Sequence, residues 1–310
     1  MTVVLLITPL LLPFAVPPLA RRALEGARPV VALWTLTVCA LVLAGACVAS
    51  LGALVLTGLL RVPAFAALGE LVHPLRAPSD LVVAPAAALA TGALTVGAVT
   101  LGRSAVRQLR AFRLARRQAG RRPAAGDLCV VDSPHPDAYA LPGRPHRIVV
   151  TTGMLRSLGP REREALFAHE RAHNAGGHHY FLAAAELAAH CHPALRPARA
   201  AIRLAAERAA DEAAATAVGD RRLTAHAIAR AALAGHAAHS PRPDFAPAVT
   251  TGPVPQRVTA LLAPPGRPSR ATRRIAVLLA ACAVLSGAAA STGVLDFHHE
   301  VEVAQGEAAR

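Results

Sequence analysis

The chain has 310 residues, 54% of them apolar and 17% charged, and its formal net charge of +14 is carried by arginine alone because lysine is absent. A positive mean hydropathy, with the apolar residues gathered in long blocks, argues against an ordinary soluble domain and for several membrane spans. The arginines sit beside those blocks without interleaved aromatics, which argues against a nucleic-acid partner. The cysteines, Cys39, Cys47, Cys129, Cys191 and Cys282, are odd in number and scattered, so neither a disulfide framework nor a Cys-x-x-Cys site follows, and they read as small buried hydrophobes.

Residues 3–20 are long enough to cross a bilayer, and four prolines predict a kinked or partly irregular helix. A signal peptide would place positive charge ahead of the apolar run; here Arg21, Arg22 and Arg28 follow it, which predicts a retained span with its N-terminus outside. Residues 29–60 form a second span longer than a perpendicular crossing needs, tilted or projecting, with Gly45, Gly52 and Gly58 available for close helix contacts. After a loop over 61–80 suited to the outer side, residues 81–102 return inward. From Arg103 to Arg122 there are eight arginines and no acidic residue, which marks the cytoplasmic side. This basic stretch reads as a solvated face beside the membrane or as a contact for anionic lipid.

Polar sequence then runs to about 266. Leu128-Cys-Val-Val131 and Arg147-Ile-Val-Val-Thr-Thr152 are short β-branched runs on either side of a Pro142-Gly143 turn, so a small sheet or hairpin is expected. The strand near 147–152 is a candidate for binding an extended peptide by strand addition. Next comes Pro160 to Gly177, a helix with proline in its first turn, Glu162 and Glu164 near its positive end, and two glycines to stop it. It carries His169-Glu170-x-x-His173, in which four-residue spacing places both imidazoles on one face with Glu170 beside them. Further helices are expected at about 178–191, 197–218 and 220–235, with a helical patch around 256–262 inside a Pro- and Gly-rich stretch over 241–268. The last apolar block, 275–295, follows Arg267, Arg270, Arg273 and Arg274, so it should leave the cytoplasm and place the C-terminal tail outside.

Two histidines leave a catalytic zinc short of a third protein ligand. Glu207, in Glu207-Arg-Ala-Ala-Asp211, is one candidate, with Asp211 one turn onward as a supporting group. His179 is another, since it completes His-Glu-x-x-His-x-x-Gly-x-x-His. That longer pattern needs a methionine turn downstream, and methionine occurs only at 1 and 154. Glu186 is a further candidate without a following acidic partner.

The motif His169-Glu170-x-x-His173 followed by Glu207-x-x-x-Asp211 resembles the gluzincin integral membrane zinc metallopeptidases, the HtpX and CAAX-protease group and the related BlaR/MecR group. Asp137-Ala-Tyr-Ala-Leu-Pro-Gly143 and Arg147-Ile-Val-Val-Thr-Thr-Gly153 resemble the strand-turn-strand segment that these families place before the metal helix, so the likeness covers about 128–235. The resemblance implies Zn2+ held by His169, His173 and Glu207, Glu170 as the general base for a water molecule, and Asp211 behind the ligands. His226, Tyr180, His178 and Arg257 are available as oxyanion donors. Departures are Asp137 where the family has asparagine, and Thr251-Gly252-Pro253-Val-Pro-Gln-Arg257 where HtpX-like members carry His-Pro before a downstream arginine. With about 15 residues after the last span, the penicillin-binding sensor domain of BlaR/MecR is not expected.

The expected fold is mainly α: a polytopic protein with transmembrane helices at 3–20, 29–60 and 81–102, a basic linker at 103–127, a cytoplasmic α+β zincin-like domain at 128–266, and a fourth span within 267–310. The expected function is a zinc-dependent endopeptidase of a bacterial inner membrane, acting on protein or peptide substrates at the cytoplasmic face. The alternatives are a BlaR/MecR-like signalling protein that cleaves a repressor partner, and a membrane scaffold with a vestigial metal site.

Overall fold

The computed structural model describes residues 2–68, 80–121, 124–235, 253–264 and 270–305. In chain order these form α1 (Thr2–Leu11), a 3-10 turn (Leu12–Ala15), α2 (Val16–Gly26), α3 (Pro29–Leu59), α4 (Pro63–Leu68), α5 (Asp80–Gly120), β1 (Ala124–Ala125), β2 (Leu128–Val131), β3 (Ala138–Leu141) and β4 (Arg147–Thr151). There follow α6 (Thr152–Ser157), α7 (Pro160–Ala175), α8 (His178–Cys191), a 3-10 turn (Pro193–Leu195), α9 (Arg196–Val218), α10 (Arg221–Gly235), α11 (Val254–Leu262) and α12 (Arg270–Gln305). The chain is mostly helical, and four helical stretches among the described residues are long and apolar enough to cross a membrane: Leu5–Arg22, Pro29–Leu59, Val83–Gly120 and Arg270–Val303. Most of the 61–80 loop and of the 241–268 stretch lies outside the described residues.

Proline shapes the first of these stretches as the sequence predicts. Pro13 has no N–H to give the carbonyl one turn behind it, so the Pro9 carbonyl lacks its helical donor. Cys47 of α3 supplies the replacement, its Sγ donating to the Pro9 oxygen at 3.1 Å. On α3 the residues Leu33, Leu36, Leu43 and Cys47 are buried. Of the three glycines on this helix, only Gly58 marks a close approach, since a Cβ there would fall 2.3 Å from the Cβ of Ala87 on α5; Gly45 and Gly52 have nothing within 4 Å.

The basic stretch is not a separate linker but the continuation of α5, which runs unbroken to Gly120. Phe112, Ala115 and Ala119 recur at helical spacing and pack against Cys129, Tyr139, Leu141 and Val149 of the sheet. Arg103, Arg107, Arg110, Arg113 and Arg117 are exposed on an arm whose apolar stripe is already in use, whereas Arg116 donates to the Arg144 and Pro145 carbonyls at 3.1 and 2.8 Å. The sheet has the order β1-β2-β4-β3, with β2 and β4 parallel (Cys129 opposite Val149) and β3 antiparallel to β4 (Tyr139 opposite Val149). Its other face lies over a second cluster in which Ala138 and Val150 meet Met154, Leu166 of α7 and Ile228 of α10. β4 has a strand on either side, so it cannot accept a further strand as the sequence reading expected; the edge strand next to the metal helix is β3.

The polar domain is not hung beside the apolar helices. Ala185 and Ala188 of α8 and Ala198, Ile202 and Ala205 of α9 share one core with Leu33, Leu36 and Leu43 of α3. Phe181 meets Trp34 edge-on at 4.9 Å, and His192, in the turn between α8 and α9, meets Phe14 at 5.4 Å. At the same end a Cβ on Gly97, inside the apolar part of α5, would sit 3.1 Å from the His190 carbonyl oxygen. The α8–α9 hairpin thus seats its turn among α1, α3 and α5, because short alanine side chains let these helices approach closely.

Candidate metal centre

The metal helix α7 begins at Pro160, and Glu162 accepts the Gly159 backbone N–H at 2.7 Å, closing its first turn. Its C-terminal end is set by two glycines. Gly177 is left-handed (φ 60°), which lets the chain reverse at once into α8. Gly176 leaves room for a neighbour, since a Cβ there would fall 2.6 Å from His178 Nε2. The turn folds His178 back onto His173, with their Nδ1 atoms 2.8 Å apart.

The predicted ligands converge. His169 Nε2 and His173 Nε2 are 3.1 Å apart, and Glu207 Oε2, brought in by α9, lies 3.5 Å from the first and 3.8 Å from the second. Atoms bound at about 2.0–2.2 Å to one tetrahedral zinc lie roughly 3.3–3.5 Å from one another, so this donor set fits such an ion. Among the described residues it is the one group of three such side chains with ligand atoms this close, all within 4.8 Å. His169, Glu170 and Glu207 are 0% exposed and His173 is 1% exposed, so the centre is enclosed.

Around the donors stands a second set of charges. Asp211 Oδ1 is 3.0 Å from His169 Nδ1, the ring nitrogen that faces away from the cluster. Arg257 of α11 is fully buried and meets both carboxylates: its Nε and Nη2 donate to the two oxygens of Asp211 at 2.9 and 2.7 Å, and its Nη1 is 3.0 Å from Glu207 Oε2. Glu170 is close enough to couple electrostatically to the same guanidinium. Three buried carboxylates, Glu170, Glu207 and Asp211, thus gather around the Arg257 guanidinium, an anionic donor set that suits a dication.

The acids of the centre shape the protonation of its histidines. Burial opposes a charge on His169, but Asp211 and Glu207 outweigh it and raise its pKa to about 9. Burial pushes His173 down to about 4. For Glu207 and Asp211 burial favours the neutral acid, yet Arg257 and the histidines hold both below the usual carboxylate range. A proton on His169 does part of what the ion would do.

The remaining candidates lie elsewhere. His179 lies against the exposed Tyr180, with ring centres 4.0 Å apart and the rings tilted by 41°, and does not join the donor cluster. Glu186 is engaged by Ser104 and Arg199 further along α8. His226 is exposed on α10. His178 and Arg257, considered from sequence only as oxyanion donors, instead brace His173 and the acidic pair. The signals for this were Gly176-Gly177, which permits the fold-back, and the two buried acids, which demand a cation.

Residues 105–195 match the family model described as Peptidase family M48. The match covers less than a third of the 310-residue chain and takes in the sheet and the metal helix, which supports a zinc metallopeptidase family. It ends before Glu207, so that residue stands on its position in the fold. No curated protein and no solved structure matches the chain.

Proposed function

We propose that the protein is a zinc-dependent membrane endopeptidase whose ion is held by His169, His173 and Glu207. The observation that carries this reading is the convergence of those three buried donors beside a buried Glu170. When bound, zinc supplies Lewis acidity toward the scissile carbonyl and the attacking water. Glu170 takes the proton from that water at its carboxylate and later delivers it to the leaving amine. Asp211 orients His169 through Nδ1, His178 does the same for His173, and Arg257 keeps both acids ionised.

The substrate reading follows from placement. Glu207 lies about 17 Å along α9 from a turn packed among apolar helices, which supports a centre near the membrane surface and membrane or membrane-proximal protein substrates. By the arginine distribution that surface is the cytoplasmic one. An extended peptide would add to β3, the edge strand beside the metal helix. The enclosure of the centre also favours the signalling alternative, in which a cue from outside opens a resting enzyme.

The test compares wild type with Glu170→Gln in native membranes, reading proteolytic fragments and zinc content in parallel. The amide keeps the size of the side chain but cannot act as a base, so cleavage should fall by about 100-fold or more at unchanged zinc. Equal cleavage at equal zinc content rejects the mechanism.

A further inference from the structure

Over residues 89–117, α5 leaves one face uncovered. Gly97, Ser104, Phe112 and Ala115 lie on the side in use, against the His190 carbonyl, Glu186 and the sheet. On the opposite side exposed residues recur three and four apart: Leu89, Gly92, Val96 and Val99 in the apolar part, then Arg103, Val106, Arg110, Arg113 and Arg117 in the arm. At about 100° per residue these positions fall within an arc of roughly 120°, the spacing of a seam between two helices. α5 is also sparsely covered, with 11% of its most apolar stretch buried against 44% for α3. A Cβ on Gly92 would meet nothing within 4 Å, so no contact inside the chain uses its small size.

Charge decides what fits this seam. No acidic residue lies between Asp80 and Asp127, and Arg103, Arg110, Arg113 and Arg117 engage no partner among the described residues. The seam is therefore apolar along the span and cationic beyond it. Anionic lipid can meet only its foot: the unbroken helix carries Arg110, Arg113 and Arg117 about 10, 15 and 21 Å past Arg103. A headgroup layer is about 6 Å deep and a charge is screened over about 8 Å, so the upper steps stand clear of the bilayer. A second copy fits no better. Copies inserted in one membrane share an orientation, so seam against seam would set arginine opposite arginine. We propose that the seam docks a helix of a different membrane protein, apolar within the bilayer and carrying Asp or Glu at three- and four-residue spacing where it emerges beside residues 103–117. Each carboxylate then meets a guanidinium, and Val106 adds an apolar contact at the foot. The proposal rests on α5 being a membrane span and is independent of the zinc centre.

The experiment uses the full chain with zinc in phosphatidylcholine vesicles, together with a synthetic probe. The probe is a leucine–alanine span of about 20 residues followed by an alanine-rich stub with glutamate three and four residues apart. Binding is read as energy transfer between dyes on the two chains. Wild type should bind this probe about tenfold more tightly than the same probe with glutamine in place of glutamate, and salt should erode the difference. The triple variant Arg110→Gln, Arg113→Gln, Arg117→Gln should lose the preference while keeping its zinc. Arg144→Gln, Arg156→Gln, Arg161→Gln, which removes the same charge from exposed positions elsewhere, should keep it. Equal binding of the two probes by wild type, or equal loss in the two triple variants, would overturn the seam. Loss of the preference on adding phosphatidylglycerol to the vesicles would give the arginines to lipid. Transfer between two labelled copies as strong as that to the glutamate probe would give the seam to a second copy, and either result overturns the proposal. If the chain does not stay with the vesicles, the span reading falls as well; if it stays, cleaves through Glu170 and shows no preference between probes, the docking seam alone falls.

Discussion

His178 Nδ1 stands 2.8 Å from His173 Nδ1, on the side of the His173 ring away from His169 and Glu207. With His173 Nε2 committed to a metal, its Nδ1 carries the proton and donates to His178, which burial keeps neutral by lowering its pKa to about 3. His178 then fixes both the tautomer and the angle of a ligand. His178→Ala should weaken zinc binding by about 10–100-fold in a chelator-competition titration, and His178→Asn, which keeps an acceptor, should recover part of the loss. Unchanged affinity in the alanine variant would remove the role.

The third ligand is decided by a pair of single changes. Glu207→Ala should abolish stoichiometric zinc in the purified chain, and His179→Ala should leave it intact, because only the first side chain joins the two imidazoles. Zinc lost with His179 and kept without Glu207 would reverse the assignment.

Arg257 is expected to matter for folding more than for chemistry. Arg257→Leu leaves Asp211 and Glu207 buried without their common cation, a change of the kind that costs about 3–5 kcal/mol. Thermal unfolding of the variant should begin well below that of wild type. Stripping zinc from wild type should lower its Tm in the same direction, and adding zinc back should restore it. A variant as stable as wild type would mean that the acids find water or protons instead.

Orientation is open to direct mapping. Reporter fusions near residues 25, 70, 120 and 305 should read inside, outside, inside, outside, following the arginines rather than the acids. An outside signal near 120 would move the proposed substrates to the other face of the membrane.

Much of the centre is legible in the sequence because its geometry is local. Two histidines four apart share a helix face whatever the fold, and Glu207 and Asp211 are related in the same way. The limits of α9 are equally visible, with Pro197 in its first turn and Gly219, left-handed at φ 73°, just past its end. What stays hidden depends on partners distant in the chain. Nothing in Leu128–Val131 announces that it pairs in parallel with Arg147–Thr151 while Ala138–Leu141 takes the outer edge. Phe112, Ala115 and Ala119 are too sparse among arginines to reveal an apolar stripe. Alanines such as Ala185, Ala188 and Ala198 read as neutral helix filler, and only the close packing against α3 gives them a position.

The seating of the α8–α9 hairpin bears on how this protein can be handled. A fragment cut at the ends of the polar region would carry away the face of Ala185, Ala188, Ala198 and Ile202 without the α3 side chains that cover it. Such a fragment would lose the apolar helices and expose a bare apolar patch close to Glu207, and is expected to aggregate rather than hydrolyse. The proposed catalytic centre and the proposed anchorage share a single piece of architecture, so a preparation intended to cleave protein has to keep its lipid or detergent.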